Sequence, residues 1–220
     1  VGLREQNARR TRSTIAEVAL VLFEERGYEA TTMEQIAGAA DVGTSTLYRY
    51  FPTKDSLLLE HPVLDVRPIA DLLAGRPVDE PVDVALGQAL AAHLAALDAG
   101  IEEIARVRLQ IDRNPAVRAR TWDVWGRQRT LLEQVLADRL DTAPEALETQ
   151  VVAHIIQMII QMAMDQTRAV ISPESPVVYA ERVVDLLSSG AVPLPRMPAK
   201  PPGRDWTMVR RATRGGESNV

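Results

Sequence analysis

The chain contains no cysteine. Disulfide frameworks, thiolate zinc sites, iron–sulfur clusters and cysteine nucleophiles are therefore excluded. Histidine is almost as scarce. His61, His93 and His154 stand far apart, so no multi-histidine metal centre is expected, and no motif asks for a metal or cofactor. Aromatic residues make up only 4% of the chain, and phenylalanine occurs only at Phe23 and Phe51. The apolar weight falls on Ala, Leu, Val and Ile, which favours helices over a β-sandwich or barrel. Lysine occurs only at Lys54 and Lys200; every other basic side chain is arginine. Long hydrophobic runs are missing too. The longest apolar stretch, 151–164, is interrupted by His154, Gln157 and Gln161 and reads as too short and too polar to span a bilayer. No apolar run follows the basic start, so no signal peptide and no membrane partner are expected, and the cytoplasm is the expected location.

What is present is an ordinary globular composition, 46% apolar and 25% charged over 220 residues. That is enough for one large domain or two small ones with a core needing no staples. The net charge of −5 argues against a nucleic-acid binder when taken globally, so local charge has to decide.

Residues 1–12 form a polar arm with Arg4, Arg9, Arg10 and Arg12 against Glu5. Ser13 or Thr14 is placed to start a helix that carries Ile15, Ala19, Leu22 and Phe23 on one stripe and stops at Gly27. Thr32 with Gln35 three residues on has the capping-box spacing. A short helix follows to Asp41-Val42-Gly43, then a third segment from Thr44 to Phe51. Pro52-Thr53-Lys54-Asp55 opens a fourth, with Thr53 as cap. Prolines 62, 68, 77 and 81 break a kinked connector. Helical patterns resume at about 82–99 and 101–112. Pro115 sits at the first position of a helix reaching about Leu140, Pro144 starts one to about Ile171, and 177–189 precede Gly190. Residues 191–220, rich in proline and with six basic side chains, read as a tail that is disordered or loosely docked. The fold class is all-α.

The stretch Thr32 to Asp55, TMEQIAGAADVGTSTLYRYFPTKD, carries the chemistry. Ala37 and Ala40 allow two short helices to cross closely, and Val42 and Leu47 plug the angle between them, as a helix-turn-helix needs. Asp41 occupies a turn position where φ tends to be positive, and Asp is among the few residues that tolerate it. The open side of the second helix then presents Thr44, Ser45, Tyr48 and Arg49, groups that suit phosphates and base edges in a major groove.

LYRYFPTKDSLL preceded by TTMEQIAGAADVGTST resembles the N-terminal domain of the TetR family of bacterial transcriptional regulators, over about residues 12–60. The resemblance implies an N-terminal three-helix DNA-binding domain at 13–60 and a helical ligand-binding and dimerisation domain at 61–190. It implies phosphate contacts from Thr32 and Lys54, base-edge contacts from Thr44 and Ser45, either kind from Thr46, and backbone packing by Tyr48 and Tyr50. Gly43 stands where the family often has Ser. The role of Arg49 is the least defined by it. Arg9, Arg10 and Arg12 read equally as a solvated charge run or as minor-groove and phosphate contacts. Residues 1–60 carry more acidic than basic side chains, so Glu17, Glu24, Glu25 and Glu29 must face away from DNA if the reading holds.

A single reading head touches few base pairs, so a homodimer on palindromic double-stranded operator DNA is expected. Ile155, Ile156, Ile159, Ile160 and Met164, apolar over more than one face, with Val183, Val184 and Leu187, are the candidate dimer surface. The resemblance also implies a pocket for an unknown small-molecule effector. Arg108, Trp122, Trp125, His154, Gln157, Met158, Gln161 and Met162 are the candidates, with plain core packing, or an Arg108–Asp112 surface pair, as the alternative. Repression relieved by that effector is the implied function. A small helical enzyme is not expected, because GxxxxGK[ST], HExxH and paired Glu-x-x-His are all missing. A helical adaptor would leave the hydroxyl-rich second helix unexplained.

Overall fold

The computed structural model describes residues 2–166 and 174–193. Those up to 184 form one compact unit, and 185–193 belong to a second. All regular structure among the described residues is helical. Helix α1 spans Leu3–Arg26, α2 Met33–Ala39, α3 Thr44–Tyr50 and α4 Ser56–Leu59. A 3-10 turn at Pro62–Leu64 leads to α5 at Ile69–Ala74. Then follow α6 Val82–Asp98, α7 Ile101–Arg113, α8 Pro115–Leu140, α9 Leu147–Asp165 and α10 Pro176–Ser188.

Local signals account for most boundaries. Thr32 and Gln35 close the reciprocal capping box that their spacing predicts. Gly27 ends α1 at φ 87°, Pro115 opens α8, and Gly190 follows α10 at φ 69°. Asp41 in the helix-turn-helix turn has φ 54°.

The N-terminus differs from expectation. The predicted arm 1–12 is helical from Leu3 onward, and Ser13 and Thr14 lie mid-helix. Leu, Arg, Glu, Gln and Ala are good helix formers, and a Glu5–Arg9 pair supports the first turns. The Thr14 hydroxyl, instead of capping, donates back to the Arg10 carbonyl at 3.0 Å. Thr53 does not cap α4 directly. It forms a turn in which Ser56 N–H donates to Thr53 Oγ1, and Asp55 takes the cap position. Helix α9 starts at Leu147, one turn later than Pro144 suggests. Its predicted end near Ile171 and most of the tail 191–220 lie outside the described residues.

Two apolar cores result. The first joins Phe23, Ile36, Leu47, Phe51 and Leu57 from α1–α4 with Val107, Ile111 and Val117 from α7 and α8. The second joins α5, α6, α8, α9 and α10 through Leu73, Leu94, Leu136, Ile159 and Ala180. Val63 and Leu64 of the 3-10 turn pack against both. Fully burying each such Leu, Ile or Phe side chain contributes about 1.5–3 kcal/mol. These two residues therefore couple the cores mechanically.

The rotation of α9 corrects two expectations. Ala153, Ile156, Ile159, Ala163 and Met164 face inward, as does Val183 of α10, so four of the proposed dimer residues, Ile156, Ile159, Met164 and Val183, belong to the chain's own core. The exposed stripe is Leu147, Val151, Ile155, Met158 and Met162. Met158 and Met162 thus leave the expected pocket. Helix α9 is also longer than the run read from the sequence. At 19 residues and mean hydropathy 1.2 it meets the length and composition of a membrane span, with a third of the window buried in this fold.

Candidate nucleic-acid interface and an internal cavity

Leu47 and Phe51 are fully buried and set the rotation of α3. That rotation turns Thr44, Ser45, Tyr48 and Arg49 outward, with Thr46 and Tyr50 half-buried at the edges. Tyr50 packs on the first core, and the Arg49 guanidinium lies 5.3 Å over its ring. No carboxylate occurs in Thr44–Tyr50. Thr32, exposed at the start of α2, uses its hydroxyl in the capping box, and Gly43 caps α3 without a side chain. The exposed surface of α3 is thus short hydroxyls, a phenol and a guanidinium. It can donate to phosphate oxygens and read base edges with little desolvation cost.

Lys54 stands beside α4, not free in solvent. Its ammonium lies 4.2 Å from the Tyr28 ring centre and donates to the Glu29 carbonyl at 3.4 Å. Burial lowers its pKa from the ordinary lysine value. Arg12 is a structural tie. It donates to the Glu60 carbonyl at 2.7 Å and to Asp65 at 3.3 Å, and lies over the Phe51 ring. These bonds pull it away from the predicted nucleic-acid role. Arg9 pairs with Glu5 at the surface, and Arg10 is exposed.

Two acidic side chains of α1, Glu17 and Glu24, face the rest of the fold. Arg106 of α7 donates to Glu17 at 3.1 Å and to Glu24 at 2.8 Å and 2.9 Å. A second tie joins α8 to α4. Arg120 donates to Asp55, which also accepts from the Tyr28 hydroxyl. Burial and that bond raise the Tyr28 pKa, so its hydroxyl stays protonated and donating. Arg106 and Arg120 were not singled out from the sequence, because their partners lie 65 to 89 residues away.

The second core contains a cavity of about 60 Å³. Of the predicted pocket residues, Trp125, Gln157 and Gln161 line it, together with His93, Gln128, Arg129, Ile69, Leu132, Ile156 and Ile160. Trp122 makes an edge contact to Trp125 but is 65% exposed, and His154, Met158 and Met162 are exposed as well. Arg108 donates to Asp165 and does not reach the cavity lining. His93 contacts the Arg67 carbonyl through Nδ1, and burial lowers its pKa. Arg129 Nε lies 3.4 Å from Glu133 but makes no well-aligned hydrogen bond.

The family profile described as bacterial regulatory proteins, tetR family, matches residues 15–61. The same region is 47% identical over 58 residues to the HTH-type transcriptional regulator TcmR of Streptomyces glaucescens, 26% of each chain. Residues 15–61 thus carry the tetR-family match. A second relative, the HTH-type transcriptional repressor KstR of Mycolicibacterium smegmatis, is 44% identical over 59 residues, 27% of this chain and 28% of that protein. These matches span about a quarter of the length of the curated relatives. The whole-chain likeness is structural. NalD, the secondary repressor of the MexAB-OprM multidrug efflux pump in Pseudomonas aeruginosa, superposes with a TM-score of 0.57 at 20% identity. That superposition covers 84% of this chain and 97% of NalD and shows a shared fold.

Proposed function

We propose that this tetR-family chain is a cytoplasmic transcriptional repressor that binds palindromic operator DNA as a homodimer and lets go when a small molecule enters the second core. The observation that carries the reading is the outward face of α3, with Thr44, Ser45, Tyr48 and Arg49 projecting from a helix whose other side is locked by Leu47 and Phe51. Thr44 and Ser45 read base edges. Thr32, Thr46, Tyr48, Tyr50 and Lys54 hold the sugar–phosphate backbone, Lys54 by exchanging the Glu29 carbonyl for a phosphate. Residues 13–60 act as the reading head and 61–190 as the sensor and dimer part.

The dimer surface in this reading is the exposed stripe Leu147, Val151, Ile155, Met158 and Met162, with Val184 and Leu187 of α10 also exposed. Its spacing of four, four, three and four residues keeps it on one helical face. Two reading heads then reach half-sites roughly 34–36 Å apart or a multiple of that. The cavity holds a few waters at its present size. An effector must part its walls, and movement of α8 and α7 reaches α4 and α1 through Arg120–Asp55 and Arg106–Glu17. The effector shifts the equilibrium only by its differential affinity for the two arrangements.

Selection of preferred sites from random double-stranded DNA, with the mass of the bound species, tests this. An enriched palindrome bound by an even number of chains is expected. Only salt-sensitive, sequence-independent binding would overturn it.

A further inference from the structure

Between the two cores, Glu17 of α1, His61 of the segment after α4 and Glu103 of α7 bring one donor atom each to within 4.8 Å of one another. The three come from separate elements, so only the tertiary fold assembles them. His61 is 1% exposed. Its Nδ1 accepts from Val63 N–H at 3.3 Å and lies 3.6 Å from Glu103 Oε1. With Nδ1 accepting, a lone pair faces a carboxylate and no proton lies between them. Nε2 of the same ring makes no well-formed hydrogen bond among the described residues, although the Ala16 backbone interacts with the ring. The acceptor-to-acceptor contact between the buried His61 Nδ1 and Glu103 lacks a positively charged bridge.

The charges around the cluster are compatible with one. His61 Nδ1 accepts the Val63 N–H and so presents a lone pair, the form of imidazole that ligates metals. Arg106 faces the cluster too. It takes Glu17 Oε1 at 3.1 Å and also bonds Glu24, leaving the second Glu17 oxygen for another partner. Arg12 is committed to Asp65 and the Glu60 carbonyl.

We propose that Glu17, His61 and Glu103 bind one divalent cation of the first transition row, of the zinc or manganese kind, at the junction of α1, the 3-10 turn and α7. One imidazole nitrogen with two carboxylate oxygens and no thiolate selects that class over copper(I), and the nitrogen selects it over magnesium and calcium. Metal–donor bonds of about 2.0–2.2 Å put neighbouring donors about 3.4 Å apart. The His61–Glu103 distance already fits. Glu17, half-exposed with three side-chain torsions, has to close by at most about 1.4 Å. The cation replaces the long Val63 bond, and water fills the positions on the solvent side, where both glutamates are partly open. Any effect on operator affinity rests on the proposed function, but the binding does not, and its test uses no DNA.

The test is calorimetric titration of the full, tag-free, chelator-washed chain with zinc chloride and manganese chloride, with magnesium chloride as the control. One equivalent of zinc or manganese per chain is expected, with a rise in thermal midpoint. Glu103→Gln, at a half-exposed position that leaves the fold intact, weakens binding at least about tenfold. His61→Gln does the same, and Glu25→Gln, on the exposed side of α1, changes nothing. No heat of binding at millimolar zinc and manganese would overturn the proposal. So would equal binding of magnesium, or undiminished binding by Glu103→Gln.

Discussion

Gly100 has no room for a side chain beside Val63. It caps α7 at φ −119°, a conformation open to any residue, so its role is steric. A Cβ placed there would lie 2.6 Å from Val63 Cγ2 and 4.0 Å from Ile104 Cδ1. Carbon atoms pack at about 3.5–4.0 Å, so Gly100→Ala forces about 1 Å of overlap against a side chain wedged between both cores. Overpacking of that kind costs about 1–3 kcal/mol. Losing glycine's cap preference costs somewhat more, and the stiffer unfolded chain returns a similar amount. Val63→Ala removes two half-buried carbons, worth at most about 1.6 kcal/mol. In the double variant the new methyl takes the space those carbons leave. Urea unfolding of the four proteins closes the cycle. A favourable coupling of about 1–3 kcal/mol is expected, with the double variant no less stable than Val63→Ala alone. Additivity within about 0.5 kcal/mol would refute the steric argument.

Three further outcomes are expected. Asp41→Val loses about 1–2 kcal/mol, because φ 54° excludes a β-branched side chain, whereas Asp41→Gly loses nothing; thermal unfolding of the pair checks this. Tyr48→Ala and Ser45→Ala weaken binding to a selected operator while stability stays within about 0.5 kcal/mol, since both side chains are exposed; fluorescence anisotropy beside a melting curve separates the two effects. His93, whose folded pKa burial lowers, binds its proton more weakly than in the unfolded chain. Its contribution is complete above about pH 6.5 and is lost as pH falls toward the folded value, so His93→Gln should flatten the acid limb of stability against pH. Equal slopes for the two proteins would contradict that.

The arginines at the start of α1 show how the structure sorts residues of similar sequence appearance. Arg9, Arg10 and Arg12 sit within four residues of one another, yet only Arg12 crosses to another element. One helical turn separates a solvent-facing position from one that meets the Glu60 carbonyl. The excess of acid in the first 60 residues is resolved in the same way. Glu17 and Glu24 lie on the face of α1 that meets Arg106, so they leave the open surface of α3 without carboxylates.

What the sequence by itself determined was everything carried by neighbours a few residues apart. The Thr32–Gln35 box, Gly27, Pro115, Gly190 and the positive φ at Asp41 are local free energies, so the residues state them directly. The buried Leu47 and Phe51 and the outward Thr44, Ser45, Tyr48 and Arg49 follow from one amphipathic period in a short helix. Tertiary structure alone decided the rotation of α9. With isoleucines at 155, 156, 159 and 160 every face of that helix is apolar, and contact with α6 and α8 selects which side is buried. It also decided the arginine ties, the cavity lining and the Glu17–His61–Glu103 cluster. Those join residues tens of positions apart, and no local preference encodes which distant side chain a flexible charged group will meet.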